Sequence, residues 1–561
     1  LLISITFIGW LIFRVGQHPI NLPLTYSRDA LFSLMQIKNL VTNNQIFYNQ
    51  QLGFPFGQNL LDFPAFDWWH FCWLKFFSWF TKDIFLIQNI FYWSTFYSIA
   101  FTSYYSLRRL QLSFWLACMG SLLFTFLPFH LLRNTNHLFL SDYSLIPLVI
   151  LLTLELSTNQ IVTLLPVNYS SVKNKFWLAL LALLISSSGI YYAFFSIFFI
   201  MLGLLFNILK YKNKLAIKKT IYIILIILLG LITQFAPTFK YHQLVKTNLA
   251  AVQRLPLEAE IYSLKFNQLI FPLNLKWLSV FHLAKPTTFV SGKLKGEGTE
   301  YLGIVGVVGL GLILSWPIIK HFFNRPTKLA VNRLSYLTVT GILLSISTGL
   351  GTVLAYVFSS QIRAYTRISP YLALMCIMTF LLISQQILNN LHKKSQQQQI
   401  AFLVTIICFI SLIDQISWYK PDTLKIQTDF TNDQNFVQLI ESSLPANSAI
   451  IQLPYKAFPE SPPINKLEDY ELVKPYLHSQ NLKWSYGMVK GRPADLWYQQ
   501  TASQSAQKLV AAIEAQGFAG ILINKNGYED DGELIEASLS AILKSNPLVS
   551  ADNINEFFLL K

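Results

Sequence analysis

Asp29 opens a helical stretch directly behind a membrane-length apolar segment, with Arg28 as its neighbour. Ser27 is a capping residue, and Leu31, Leu34, Met35 and Val41 recur at helical spacing. The pattern predicts an amphipathic helix lying along the membrane surface, with Asp29 in its first turn. A carboxylate there complements the helix dipole, and the same carboxylate can accept a proton. Other charged groups fall in segments placed on the same side: Asp62 and Asp67; His130, Arg133, His137 and Asp142; Arg254, Glu258, Glu260 and Glu300; Arg363 and Arg367. Charges at a membrane edge are costly unless paired or hydrated, which makes them site candidates, although snorkelling explains any single arginine as well. The chemistry that suits the set is sugar transfer from a lipid phosphate. Asp29 takes the proton of an acceptor hydroxyl attacking the anomeric carbon, and guanidinium groups hold the departing phosphate bidentately, with Arg254, Arg363 or Arg367 in that role.

These residues are positioned by a polytopic helical scaffold. Hydrophobic residues make up 53% of the 561, and apolar runs near the roughly 20 residues needed to cross a bilayer recur through most of the chain. Continuous runs without period-2 alternation select helices over a barrel. With Lys and Arg in short loops as the orientation signal, about eleven crossings thread. The first is 1–15, and the outer loops are about 16–83 and 237–300. Residues 68–82 lie in the interface. Crossing 84–106 reaches Arg108 and Arg109, and 112–130 and 143–157 follow. The run 176–209 is divided at Ser186-Ser187-Ser188-Gly189, and 216–236, 301–319, 334–358, 369–390 and 400–417 complete the set. The N-terminus is expected in the cytoplasm. The proposed cytoplasmic loops are basic and nearly free of acids, so the net charge of +15 reflects orientation and not nucleic-acid binding. The chain begins Leu1-Leu2-Ile3 within an apolar run, and a few preceding residues are expected.

The composition changes near residue 418. Ala449–Leu453, Gly520–Asn524 and Asn555–Leu560 read as strands, and Ser505–Gln516 and Glu533–Leu543 as helices, predicting a soluble α/β domain over 418–561 behind a membrane domain over 1–417. Within it, Trp484, Tyr486, Arg492 and Trp497 suit a carbohydrate-facing surface. The alternative is a fold-stabilising turn, with Gly487 and Gly491 supplying backbone freedom.

Cys72, Cys118, Cys376 and Cys408 lack metal-ligand spacing, and no Walker loop, nucleophile elbow or zinc signature occurs. His137 and Asp142, five apart, suit hydrogen bonds to substrate or to the Asp29 loop better than a metal. The strings Tyr26-Ser-Arg-Asp29, Gly53-Phe-Pro-Phe-Gly57 with Asp62, Phe129-His-Leu-Leu-Arg133 with His137, Gly189-Ile-Tyr-Tyr192 and Glu300-Tyr-Leu-Gly303, together with this architecture, resemble the GT-C superfamily of bacterial membrane glycosyltransferases. The resemblance covers residues 1–417. It implies an inverting transfer from a polyprenyl-phosphate sugar to a glycan or glycolipid acceptor in the cell envelope, at the extracytoplasmic face of a bacterial plasma membrane. Asp29 would stand in the base position, and Arg28, Asp62, Arg133, His137, Arg254, Glu258, Glu260, Glu300, Arg363 and Arg367 would be available to substrate. The second acidic pair common in metal-dependent members is not plain, so no cofactor is assigned and divalent-metal use stays open. Two other readings stand beside it: a transporter or flippase of a lipid-linked sugar, expected to place polar groups at mid-membrane, and a noncatalytic anchor for the terminal domain.

Overall fold

A computed structural model describes residues 1–13, 17–157, 172–271, 297–416 and 421–560. The expected domain boundary at 417/418 and most of the later part of the 237–300 loop lie outside them. Among the described residues seven helices are long and apolar enough to cross a membrane: Ile84–Arg109, Phe114–Ser141, Ile190–Lys210, Lys214–Val245, Gly303–Phe322, Tyr365–Asn390 and Lys394–Ile416. Leu2–Ile12, Ile146–Leu156 and Asn174–Ser186 are shorter apolar helices. The protein is thus a mostly helical, multi-pass membrane protein. The expected count of about eleven exceeds the seven full-length spans. The division at 186–189 is present, with Gly189 at φ +96 between the two helices. The expected crossing 334–358 is instead two helices, Arg325–Ser345 and Leu350–Val357. Between them Thr348 sits at φ +56 and donates its backbone N–H to the Glu260 carboxylate. The Lys214–Val245 helix also runs past the expected loop start at 237, carrying Pro237 within it.

The Asp29–Thr42 helix forms as expected but is buried, with Leu31, Leu34 and Ile37 fully inaccessible. Its polar face is covered too. Gln88 donates from Nε2 to Ser33 Oγ (2.9 Å), and Lys38 donates to the carbonyls of Tyr476 and Ser479. An interfacial amphipathic helix is therefore not what the residues build. A core helix clamped between a spanning helix and the C-terminal region is. Each fully buried Leu or Ile contributes roughly 1.5–3 kcal/mol. Arg28, not Ser27, is the N-cap, at φ +50 and without a side-chain cap.

Tyr48–Asn49 (β1) and Gln58–Asn59 (β2) pair antiparallel in the first loop. The C-terminal sheet comprises Ala449–Leu453 (β3), Lys483–Trp484 (β4), Phe518–Asn524 (β5), Leu548–Val549 (β6) and Asn555–Leu559 (β7), in the order β4-β3-β5-β7-β6. β3 is parallel to β4 and β5, and β7 is antiparallel to β5 and β6. All five residues of β3 are buried, because helices including Ala506–Ala515 and Glu533–Leu543 cover the sheet. The edge strand β4 is covered by the first loop: Gln51 O accepts from Trp484 N (2.8 Å), and Phe54 N donates to Trp484 O (3.0 Å). A segment some 430 residues upstream thus closes the exposed edge.

Candidate active site

Asp29 projects from the first turn of its helix with half of its side chain exposed, and its Oδ2 stands 3.1 Å from His137 Nδ1. It lines a cavity of about 600 Å³ together with Arg254, Arg363, Glu460, Asp469 and Lys490. Three acids face three bases. The bundle end is set by the Ile84–Arg109 helix: Gln88 donates to Ala30 O and Ser33 Oγ beside Asp29, whereas Arg108 lies twenty residues further on, about 30 Å along the axis. Asp29 and the Arg108–Arg109 pair therefore occupy opposite ends.

The cavity cations are held by carboxylates. Arg254 donates bidentately to Glu460 (2.5 and 2.8 Å), and Arg363 donates to Glu258 and lies 3.8 Å from Glu460. Burial raises the Glu460 pKa, but Arg254 and Arg363 overcome that and hold it below its ordinary value. Burial pushes Asp469 up to about 6 even though backbone N–H groups of Ser461 and Tyr470 donate to it. Burial likewise draws the Lys490 ammonium below its usual range, and Lys490 Nζ donates to Glu460 O (2.9 Å).

Beneath His137 lies a second cluster. Arg133 and Arg367 both donate to Glu297, as does Thr366 Oγ1 (2.8 Å), while Arg133 stacks over Phe129 and Arg367 over Tyr191. Burial raises the Glu297 pKa, yet the two arginines drive it well below the ordinary value. Glu300 is buried beside them, three residues before the Gly303 helix. Neither of its oxygens has a hydrogen-bond partner among the described residues. Burial pushes its carboxyl up to about 7 against the pull of Arg133.

Arg254 and Arg363 join Asp29 in the cavity, His137 touches Asp29, and Arg133 and Arg367 sit together on Glu297 without lining the cavity. The other sequence candidates lie elsewhere. Arg28 turns away to Glu468 (Nη2 to Oε1, 2.9 Å). Asp62, 1% exposed, is saturated by Arg492 (2.7 Å to each oxygen), His242 Nε2 (2.9 Å) and Asn248. Glu260 accepts from Thr348 N and Thr352 Oγ1 (2.6 Å), and Glu258 is spent on Arg363. The expected carbohydrate surface is corrected by burial: Trp484 and Tyr486 are 0% exposed because residues 51–54 pack across β4. Arg492 belongs to Asp62, and Trp497 packs on Phe56 and Phe518. The turn reading accounts for the glycines, since Gly487 and Gly491 adopt φ +109 and +83 where a Cβ would strike Gln58 and Ala250.

His137 and Asp142 do not share a ligand. Asp142 lies 3.4 Å from His70 Nε2, and Asp67 lies 3.4 Å from His70 Nδ1. Burial lowers the His70 pKa, but the two carboxylates win and raise it to about 9. His130 is buried on Phe96 and bonded to Thr95 and Thr125. Among the described residues no group of three His, Cys, Asp or Glu side chains is placed to hold a metal. The charged cavity residues not proposed from sequence are Glu460, Asp469 and Lys490, the last standing within the string Lys490-Gly-Arg-Pro493 from which only Arg492 was taken as a candidate. Glu460 directly precedes Ser461-Pro462-Pro463 and Asp469 follows six residues after it, in a region read as a separate domain.

A family described as a domain of unknown function, DUF6311, matches residues 70–363, just over half the chain. No curated protein matches the sequence. Among solved structures, ArnT from Cupriavidus metallidurans bound to undecaprenyl phosphate aligns with a TM-score of 0.51 at 8% identity, over 100% of this chain and 97% of that one. Arabinofuranosyltransferase AftD from Mycobacteria aligns with a TM-score of 0.46 at 12% identity, over 93% of this chain and 36% of that one, so this chain spans about a third of AftD's length. The archaeal oligosaccharyltransferase AglB from Archaeoglobus fulgidus, in complex with an inhibitory peptide and a dolichol-phosphate, gives 0.43 at 11% identity over 100% and 74%. The ArnT likeness identifies the fold as GT-C-like.

Proposed function

This chain belongs to the DUF6311 family, and from that premise and its GT-C-like fold we propose that it is a membrane glycosyltransferase using a polyprenyl-phosphate-linked sugar. The observation that carries the reading is the meeting of Asp29 with Arg254 and Arg363 in one cavity at a single end of the bundle. These residues come from three distant parts of the sequence, and a carboxylate facing guanidinium groups is what the transfer requires. Asp29 accepts the proton as the acceptor oxygen bonds to the anomeric carbon, and the carbon–phosphate-oxygen bond breaks with its electron pair leaving on the lipid phosphate. Arg254, Arg363 and Lys490 stabilise that charge. A phosphate entering here exchanges with the Glu460 carboxylate on Arg254; the donor phosphodiester carries a single negative charge, and the added charge that Arg254 and Arg363 stabilise develops as the sugar departs and leaves a phosphate monoester. His137 orients Asp29. The end bearing Arg108 and Arg109 is cytoplasmic, so the cavity opens at the extracytoplasmic face. The C-terminal region acts as an α/β domain that completes the site.

Transport of a lipid-linked sugar is less well supported, because the candidate charges sit at the bundle end and not at its middle. A pure anchor role would leave Asp29 dispensable. Purified full-length protein given radiolabelled undecaprenyl-phosphate sugar tests this: Asp29→Asn is expected to lower transfer by at least about 10²-fold while retaining donor binding. Undiminished transfer by that variant would overturn the assignment of the base.

A further inference from the structure

Residues 24–29 form a partition. Asp29 lines the cavity described above, whereas Leu24 to Arg28 line a second cavity of about 590 Å³. A third hollow of about 260 Å³ shares Lys425, Asp429, Glu468, Glu471 and Lys474 with the second. The two are therefore one groove. It starts at the partition, follows the Thr423–Ser443 helix, and ends at Asn524 and Asn555 on β5 and β7. Between Asp422 and Asp433 that helix advances about 17 Å, longer than a single sugar ring.

The groove is built from amides and carboxylates. Asn134 and Asn136 stand at the partition end, and Asn524, Asn526 and Asn555 at the far end. Six carboxylates face four cations across the two hollows, so a polyanion is repelled. Three of the four cations are already engaged: Arg28 by Glu468, Lys474 by Glu471 (2.6 Å) and Lys466 by Asp531 (2.8 Å). Asp422 and Asp429 have no ion-pair partner in the described residues, and the Asn136 Oδ1 atom, though buried, has no hydrogen-bond donor there. Carboxylates and amide oxygens accept from hydroxyl and ammonium groups, and amide N–H groups donate to hydroxyl oxygens.

We propose that this groove holds the acceptor of the transfer, an uncharged or amine-bearing oligosaccharide whose reacting hydroxyl is presented at the partition beside Asp29. The inference rests on the transferase reading and names its acceptor class. It follows the geometry of inversion, in which the incoming oxygen approaches opposite the departing phosphate. The cavity holding Arg254, Arg363 and Lys490 lies on one side of residues 24–29 and the amide–carboxylate groove on the other. As the new C–O bond forms, the hydroxyl proton passes to Asp29 and the electron pair departs with the lipid phosphate.

The test is titration of the purified full-length chain with chitohexaose, its fully deacetylated form, hexagalacturonate and the corresponding monosaccharides, read by calorimetry, with undecaprenyl phosphate titrated in parallel. The two non-acidic hexamers are expected to bind at least tenfold more tightly than their monomers, and hexagalacturonate not to bind. Asn526→Ala is expected to weaken the hexamers several-fold while leaving the monosaccharides unaffected. Asp429→Lys is expected to weaken the deacetylated hexamer at least tenfold, and Asp429→Asn less, with thermal melts confirming that each variant is folded. Preference for hexagalacturonate, equal affinity for hexamer and monomer, or no binding of any oligomer overturns the proposal. If undecaprenyl phosphate still binds in that case, the groove assignment alone has failed. Loss of lipid-phosphate binding with oligomer binding retained counts instead against the transferase reading.

Discussion

Asp29 and Asp62 belong to the same stretch before the first long helix, and the sequence offers both as site carboxylates, Asp29 as the base and Asp62 among the substrate-side groups. Their surroundings separate them. Every lone pair of Asp62 that matters is taken: Arg492 grips both oxygens, His242 and Asn248 add to it, and only 1% of the side chain is exposed. Burial raises its pKa, but hydrogen bonds from Arg492, His242 and Asn248 together hold it below its ordinary value. Among the described residues Asp29 has one polar partner within reach, His137, and its half-exposed side chain lines a cavity. A saturated carboxylate holds the fold together, and an unsaturated one is free to take a proton. The difference lies in what the rest of the chain brings to each, which no local window contains.

That contrast can be broken experimentally. The largest expected effect is on Asp29→Asn, which should lower transfer by about 10²–10⁴-fold, the usual contribution of a general base. Its melting temperature should stay close to that of the parent, as checked by thermal unfolding in detergent. Asp62→Ala should reverse the pattern. It strips a buried partner from Arg492 and is expected to cost about 3 kcal/mol, read as a lowered unfolding midpoint and as protease cleavage between the helical bundle and the C-terminal region. The pH dependence follows from the depressed pKa of Asp62. Its stabilisation is present above the unfolded-state pKa and is lost as pH falls through the folded value, so Asp62→Asn should flatten the acid limb of the stability curve.

Smaller effects sharpen the comparison further. His137→Gln should slow transfer roughly tenfold and shift its pH profile with little change in the donor KM, because His137 acts through Asp29. Glu300 gives the opposite linkage sign to Asp62. Its folded pKa is raised to about 7, so the folded state holds the proton longer than the unfolded chain, and stability declines as pH rises from the ordinary carboxylate range toward 7. Glu300→Gln should remove that slope and melt higher than the parent at pH 8.

Much of the scaffold was legible because its signals are local. The break at Ser186–Gly189, the strands at 449–453, 520–524 and 555–559, and the helix at 533–543 follow from glycine placement and periodicity within short windows. The Thr423–Ser443 helix was missed because its mean polarity masks the few buried contacts of Phe436, Val437 and Ile440. At the site, Arg254 and Arg363 were found through residue type alone. Glu460, Asp469 and Lys490 were not, since their value comes from docking against a helix more than 400 residues earlier. Trp484 and Tyr486 failed for the same reason in reverse: residue type suggested a sugar-stacking face, and Gln51 to Phe54 arrive from afar to cover them.

The pairing of Gln51 to Phe54 with β4 carries a consequence for biosynthesis. A growing chain exposes residues 51–54 early, yet the partner strand is made only after all the described spanning helices have been synthesised. Residues 51–54 thus lack their pairing partner until β4 has been made and docks. Translation products that stop before residue 483 should consequently be inserted in the bilayer with residues 51–54 unpaired and open to protease.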